Sequence, residues 1–119
     1  MISFLGLKRI RLGGGSRSNE GYVEALGSNG TLGGVCDDLH AKSDGIKNAH
    51  VICRMLGYSS AEAWFYGSKH SFGNNPFGFV LDDVKCSGSE SSIFDCPHAG
   101  EWVENCSAGE IAGVRCALT

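Results

Sequence analysis

Residues 43–57, SDGIKNAHVICRMLG, carry the clearest helical pattern in the chain. Apolar residues recur there at helical spacing and share one face of the predicted helix, namely Ile46, Ala49, Ile52, Cys53 and Leu56. Ser43 or Asp44 is expected to cap the start, and Gly57 to end the helix. Because Cys53 lies on the buried face, a disulfide at this position would tie the helix covalently to another element.

Short strands are predicted on both sides of this helix. Gly21–Leu26 alternates apolar and other residues at the strand period of two. Gly27–Gly30 reads as a hairpin turn, because Asn29-Gly30 tolerates the positive φ angles that tight turns demand. The predicted strands are Ile10–Leu12, Gly21–Leu26, Thr31–Cys36, Phe79–Leu81 and Ile111–Cys116.

The stretch from Ala61 to Phe79 is rich in glycine and aromatic residues and is predicted to be a long loop. Large apolar side chains prefer burial, so these aromatics are expected to form a satellite of the core rather than a ligand platform. A ligand preference particular to this chain would arise in such a loop.

Six cysteines stand at positions 36, 53, 86, 96, 106 and 116. An even number of cysteines in a small glycine-rich chain is typical of a disulfide framework formed in an oxidising compartment. Six cysteines permit 15 pairings, and their spacing alone does not choose among them. A zinc site is disfavoured, because the chain has no C-x-x-C pair.

Length and charge narrow the classes of function. A chain of 119 residues with a net charge of −3 fits one domain and disfavours a primary nucleic-acid partner. The N-terminal end is locally basic, so Arg9, Arg11 and Arg17 are candidate contacts for an anionic ligand, the alternative being a solvated tail and first strand.

No apolar run reaches the about 18 residues of a membrane span, so we expect no membrane insertion of this segment. The opening MISFLGLKRI is too short in its apolar part for a signal peptide. The chain is therefore interpreted as a domain excised from a longer extracellular protein, with an added start Met.

An ordered set of motifs resembles a known family. IRLGGG, EGYVEAL, GGVCDD, NAHVICRMLGY, LDDVKCSGSESSIFDC and AGVRC occur in this order over about residues 8–116. Together they resemble the scavenger receptor cysteine-rich domain in its six-cysteine subtype. We therefore expect one domain over residues 8–119, with residues 1–7 as an N-terminal extension.

The resemblance implies an α+β fold in which a curved antiparallel β-sheet cradles one main α-helix. It also implies the disulfide pairing Cys36–Cys106, Cys53–Cys116 and Cys86–Cys96. Under this pairing the second bridge joins the helix to the last strand.

Two cation sites follow from the resemblance. In family members that bind calcium, carboxylates at positions matching Asp37, Asp38 and Glu110 form an oxygen site suited to Ca²⁺ or Mg²⁺. Some relatives have a second site, which Asp82 and Asn105 match here. The alternative for the adjacent aspartates is a solvated turn or a structural ion pair.

Two further features bear on these sites. The family often has Asp where Ile111 stands, so the first site carries one negative charge fewer. Asn29-Gly30-Thr31 and Asn105-Cys106-Ser107 are N-glycosylation sequons, and Asn29 is the better acceptor because it lies on a predicted turn.

The sequence contains no motif of a catalytic nucleophile, a metalloprotease or a phosphate loop, so we expect no enzyme. The family likeness implies an extracellular recognition module, secreted or in an ectodomain. Its expected ligands are anionic or glycosylated: microbial surface polymers, modified lipoproteins or host proteins, bound with the help of calcium. The alternative function is a non-catalytic structural or protein-interaction domain of a larger protein.

Overall fold

A curled mixed β-sheet of six strands packs against one long α-helix. The computed structural model of the chain describes residues 9–37, 42–73, 78–104 and 106–118, without the side chains of Lys42, Ser43 and Ala108. The helix α1 spans Lys42–Met55. The strands are β1 Ile10–Gly13, β2 Glu20–Leu26, β3 Leu32–Val35, β4 Ala61–Phe65, β5 Phe79–Leu81 and β6 Gly113–Cys116. The predicted α+β class is confirmed, whereas the extension over residues 1–7 lies outside the described residues.

The sheet has the order β4-β6-β2-β3-β5, and β1 pairs with β2 outside this path. Tyr22 of β2 pairs with Gly13 of β1 and with Gly113 of β6, so β1 and β6 lie on opposite edges of β2. Among the strands of the described residues, all pairings but one are antiparallel. The exception is β3 with β5, which run parallel. The helix and β4, which lie between them in the chain, supply the long crossover connection that a parallel pair needs.

One stretch predicted as loop is partly a strand. Residues Ala61–Phe65 form β4, which pairs antiparallel with β6 from Ala61↔Cys116 to Phe65↔Gly113. A bulge between Ala61 and Ala63 interrupts the register. The loop prediction was wrong here because the pairing partner lies about fifty residues away in sequence, and the local pattern is too short to reveal it.

The end of α1 follows the predicted pattern closely. Gly57 has φ +99°, a conformation that favours glycine. The Tyr58 N–H donates to the Cys53 carbonyl at 2.9 Å, and the Gly57 N–H donates to the Arg54 carbonyl at 3.0 Å. These two bonds form a Schellman motif, which satisfies carbonyls that the helix itself leaves without donors.

The main core lies between α1 and the inner face of the sheet. Ala49, Ile52 and Cys53 of α1 are fully buried, as are Val23 of β2 and Val114 of β6. Burial of each larger apolar side chain contributes roughly 1.5–3 kcal/mol to stability. The predicted apolar face of the helix is thus the face that packs on the sheet.

Three disulfides link the elements in the pairing that the family resemblance implies: Cys36–Cys106, Cys53–Cys116 and Cys86–Cys96. Cys53 and Cys116 are both fully buried, so the second bridge joins α1 to β6 inside the core. The first two bridges close loops of 70 and 63 residues. Each bridge restricts the unfolded chain, and the entropy that the unfolded chain loses corresponds to a stabilisation of the fold by about 4 kcal/mol.

A smaller apolar cluster consists of Cys36, Phe79 and Ile111, with Tyr22 packed against it. Aromatic residues after β4 make ring contacts of their own. Phe72 meets Phe65 edge to face at 5.8 Å between ring centroids and stacks on His70 at 4.9 Å. This supports the expectation that aromatics of this stretch form a satellite of the core.

A buried amide joins α1 to the segment that carries the third disulfide. Asn48 is 1% exposed. Its Nδ2 donates to the Val84 carbonyl at 3.0 Å, and its Oδ1 accepts the Cys86 N–H at 2.9 Å. Both backbone groups lack other partners among the described residues, so the amide is needed to satisfy them.

We expect Asn48→Ala to lower the free energy of unfolding by about 2–4 kcal/mol, because it leaves a buried donor and a buried acceptor unpaired. Urea denaturation of the oxidised protein measures this loss. Lys47→Ala, at the exposed neighbouring position, is the control and should change stability by no more than about 0.5 kcal/mol. Equal effects of the two substitutions would contradict the assigned role of the amide.

Candidate cation site

The Cys36–Cys106 bridge brings together two chain segments that carry predicted cation ligands. The Asp37 N–H donates to the Glu110 carbonyl at 2.8 Å, and Cys36 forms an isolated β-bridge with Ile111. Asp37 and Glu110 are therefore neighbours in space although they lie far apart in sequence. Asp38, the third predicted ligand, lies outside the described residues.

The Asp37 carboxylate is half-buried and accepts the Gly67 N–H at 2.6 Å through Oδ2. Burial raises the pKa of Asp37 above its ordinary value of 3.8, the Gly67 N–H opposes this rise, and the negative charge of Glu110 raises the pKa further. The charged form of Asp37 is thus destabilised in the metal-free protein.

Glu110 lies at the end of the single-turn 3₁₀ helix Ala108–Glu110 and is exposed. Its Oε1 accepts the Ser107 N–H at 2.6 Å, which holds the turn closed. A carboxylate has about four lone-pair positions, so Asp37 and Glu110 each keep free acceptor capacity beside the bond they accept.

Sequence reasoning missed the contribution of the turn that follows β4. Gly67 supplies the N–H bound by Asp37, and a Cβ at Gly67 would lie 2.0 Å from the Gly109 carbonyl oxygen. His70 Nε2 lies 2.9 Å from the Ile111 carbonyl, and its Nδ1 accepts the Phe72 N–H at 3.2 Å. These bonds assign the ring proton to Nε2. No local sequence signal indicates these contacts, because they depend on the packing of residues 67–70 against residues 109–111.

The described residues alone do not complete a cluster of three ligands around Asp37 and Glu110. Groups of three His, Cys, Asp or Glu side chains with ligand atoms within 4.8 Å of one another occur twice in the described part of the chain: Cys36, Asp82 and Cys106, and Cys86, Glu90 and Cys96. In both, two members are disulfide sulfurs, which offer no thiolate to a metal. A third carboxylate at the first site would have to come from Asp38.

The second predicted cation site is only partly described. Asp82 is 3% exposed, its Oδ1 accepts the Asp83 N–H at 2.8 Å, and its carboxylate lies beside the Cys36–Cys106 bridge. Asn105, its predicted partner, lies outside the described residues.

Two of the three candidate arginines have structural partners. Arg9 lies with its guanidinium 3.6 Å from the centroid of the Phe94 ring and forms an ion pair with Glu101 at 3.5 Å. Arg11 pairs with Glu24 at 2.7 Å. Arg17 is exposed, and its guanidinium has no partner among the described residues. Arg17 is therefore the candidate most available to an anionic ligand.

The sequon at Asn29 lies where the sequence predicted it, on the exposed turn between β2 and β3. The Asn29 Oδ1 accepts the Thr31 N–H at 3.1 Å, and the Gly30 N–H donates to the Gly27 carbonyl at 2.9 Å. The space around Gly30 is open, with no atom within 4 Å of the position of a Cβ. Asn29 itself is exposed, as the acceptor of an N-glycan must be.

We expect Asp37→Asn to raise the melting temperature of the metal-free protein near neutral pH by a few degrees. A raised folded-state pKa contributes stability that is present below pH 3.8 and is lost as pH rises through the folded-state pKa. An asparagine cannot ionise, so the variant does not lose this stability. The variant should be about as stable as the wild type at about pH 3 and increasingly more stable than the wild type as the pH rises. Thermal unfolding followed across this range measures the difference, and a difference that does not vary with pH would contradict the assignment.

Comparison with known proteins agrees with this architecture. Residues 13–117 match the family model of the scavenger receptor cysteine-rich domain. Human lysyl oxidase homolog 3 is 42% identical over 116 residues, which are 95% of this chain and 14% of the human protein. The chain thus spans about a seventh of that relative.

Solved structures show the same fold. The third SRCR domain of murine neurotrypsin has a TM-score of 0.73 and 37% identity, covering 90% of this chain and 94% of that one. The dimeric form of the SRCR domain of mouse MARCO has a TM-score of 0.68 and 35% identity, covering 93% and 97%. None of the helices in the described residues has the length and apolar character to cross a membrane. The resemblance read from the sequence is confirmed: this chain belongs to the scavenger receptor cysteine-rich domain family.

Proposed function

We propose that this domain is an extracellular recognition module that binds anionic or glycosylated ligands through a surface assisted by a bound cation. The observation that carries the proposal is the pairing of Asp37 with Glu110 beside the Cys36–Cys106 bridge. Three disulfide bridges support an oxidising, extracellular location.

The chemistry of the donor set fits a hard cation. Asp37, Asp38 and Glu110 would hold Ca²⁺ or Mg²⁺, which prefer carboxylate and carbonyl oxygens. When bound, the cation would neutralise the acids and offer a coordination position to a ligand carboxylate, sulfate or phosphate. The Gly67 N–H fixes the Asp37 carboxylate beforehand, so less side-chain freedom is lost when a cation binds.

The ligand class follows from charge. A cation bound near the protein surface attracts anionic groups such as those of microbial polymers, modified lipoproteins or host glycoproteins. The exposed guanidinium of Arg17 would add to this attraction, whereas Arg9 and Arg11 are engaged with Glu101 and Glu24. We therefore rank Arg17 above the other two as a direct contact.

A second candidate function is a non-catalytic protein-interaction domain within a larger protein. This function is favoured because the chain spans only 14% of the length of human lysyl oxidase homolog 3. In that case the domain would bind a partner protein or another part of the same polypeptide, and its cation would serve stability.

Titration of Ca²⁺ into chelator-treated, oxidised protein tests the proposed cation site. We expect binding heat and a calcium-dependent rise in melting temperature, because a ligand that binds only the folded state stabilises it. Asp38→Asn and Glu110→Gln should each weaken binding about tenfold or more, since each removes a charged oxygen ligand.

Glu62→Gln is the matched control, because Glu62 is an exposed carboxylate of β4 outside the proposed site. This variant should bind Ca²⁺ as the wild type does. Absence of binding in the wild type, or equal weakening by all three substitutions, would overturn the cation-assisted function. Polyanion binding that persists in full with chelator would overturn the bridging role of the cation.

We also expect a glycan on Asn29 when the domain is secreted from eukaryotic cells. Asn29→Gln should lower the mass by one N-glycan, as measured by mass spectrometry before and after enzymatic deglycosylation. Thr31→Ala removes the same sequon without changing the acceptor and should have the same effect. An unchanged glycan mass in both variants would show that Asn29 is not modified.

A further inference from the structure

In the described part of the chain, the strand β4 forms one edge of the sheet, and its side away from β6 pairs with no strand. It pairs with β6 on one side and ends the strand order there. Within the described parts of the chain, the backbone of residues 62–65 forms no hydrogen bond other than those of this ladder. The N–H and C=O groups of these residues that face away from β6 thus have no partner in the described residues, whereas the Ala61 N–H donates to His50 Nδ1 of α1 at 3.0 Å.

A cavity of about 310 Å³ opens beside this edge. Its lining combines the strand with one apolar residue of α1 and one lysine of the following turn, and comprises Ile46, Glu62, Ala63, Trp64, Phe65, Tyr66 and Lys69. The volume lies at the lower end of the range of ligand sites, roughly 300–1,000 Å³. It suits one or two side chains of a bound segment better than a large rigid ligand.

Trp64, which lines this cavity, carries a buried donor without a partner. The residue is 8% exposed, and its indole Nε1 has no hydrogen-bond partner among the described residues. The pyrrole edge lies against Gly45 of α1, where a Cβ would come within 2.6 Å of Nε1. This contact with α1 fixes the indole ring as one wall of the cavity.

Charges of opposite sign flank the cavity. Glu62 and Lys69 both line it, both are exposed, and neither side chain has a partner among the described residues. A charged edge strand resists non-specific pairing, so a strand that pairs with β4 must offer complementary charges.

We propose that β4 is a docking edge for an extended segment of a partner protein, which adds a strand to the sheet and places an apolar side chain in the cavity beside Ile46. The segment carries an acidic residue that meets Lys69 and a basic residue that meets Glu62. The row of unpaired backbone groups selects a polypeptide, because a polysaccharide lacks the regular N–H and C=O spacing of a strand. This inference uses none of the proposed cation ligands and is independent of that function.

The probe is a peptide with blocked ends and the sequence Glu-Thr-Val-Thr-Val-Thr-Lys, titrated into isotope-labelled, oxidised protein and followed by NMR. We expect chemical-shift changes concentrated at the amides of β4 and at Ile46, together with slower hydrogen exchange of amides in residues 62–65. The same peptide with proline in place of both its central threonine and the valine before it should bind much more weakly, because successive N–H groups of a strand point to opposite sides and one of the two lost donors must face β4.

Two variants with the same change in net charge test the role of charge. Lys69→Glu should weaken peptide binding about tenfold, since it replaces one attraction with a repulsion. Lys85→Glu, at an exposed position outside the cavity, should leave the affinity unchanged. The melting temperatures of both variants show whether each remains folded.

Several results would overturn the proposal. One is the absence of chemical-shift changes at millimolar concentrations of the peptide. Another is that the proline peptide binds as tightly as the peptide without proline. Equal effects of Lys69→Glu and Lys85→Glu would also contradict it. The same amides could also shift without peptide when the protein concentration is raised. That result would show that a second copy of the chain binds this edge instead of a partner segment.

Discussion

The Cys53–Cys116 disulfide is the constraint on which the rest of the domain depends. It joins the buried face of α1 to β6, and both of its cysteines are fully buried. β6 in turn pairs with β2 on one side and β4 on the other. Glu110 lies just before β6 in the chain, and its carbonyl accepts the Asp37 N–H. Loss of this bridge would therefore loosen the core, the cation site and the β4 edge together.

The negative charge of Asp37 near the Cys36–Cys106 bridge is energetically unfavourable. The acid segments meet there because the disulfide holds their backbones side by side, and burial raises the pKa of Asp37. Side chains with shifted pKa values cluster at functional sites. The Gly67 N–H partly offsets the cost, and only glycine fits at that position beside the Gly109 carbonyl.

One continuous segment serves both proposed surfaces. Residues 62–66 line the cavity at the sheet edge, and residues 67–70 contact the segments that carry the predicted cation ligands. The sequence pattern marked this stretch only as an aromatic loop. Its aromatics do pack, as Phe65 and Phe72 show, but part of it is a strand whose partner is distant in the chain. Local periodicity carries no information on a partner so far away.

The sequence by itself determined the helix with its glycine end and five of the strands, and its ordered motifs indicated the family and, through that resemblance, the disulfide pairing. The helix and the strands depend on local periodicity and on φ preferences, which are present in the linear chain, whereas the cysteine spacing alone leaves 15 pairings open. Only the tertiary structure decided that Arg9 and Arg11 have partners, that Gly67 and His70 support the Asp37 segment, and that β4 ends the strand order of the described sheet. Each of these depends on contacts between residues far apart in sequence, which burial and sheet pairing create only when the whole chain has folded.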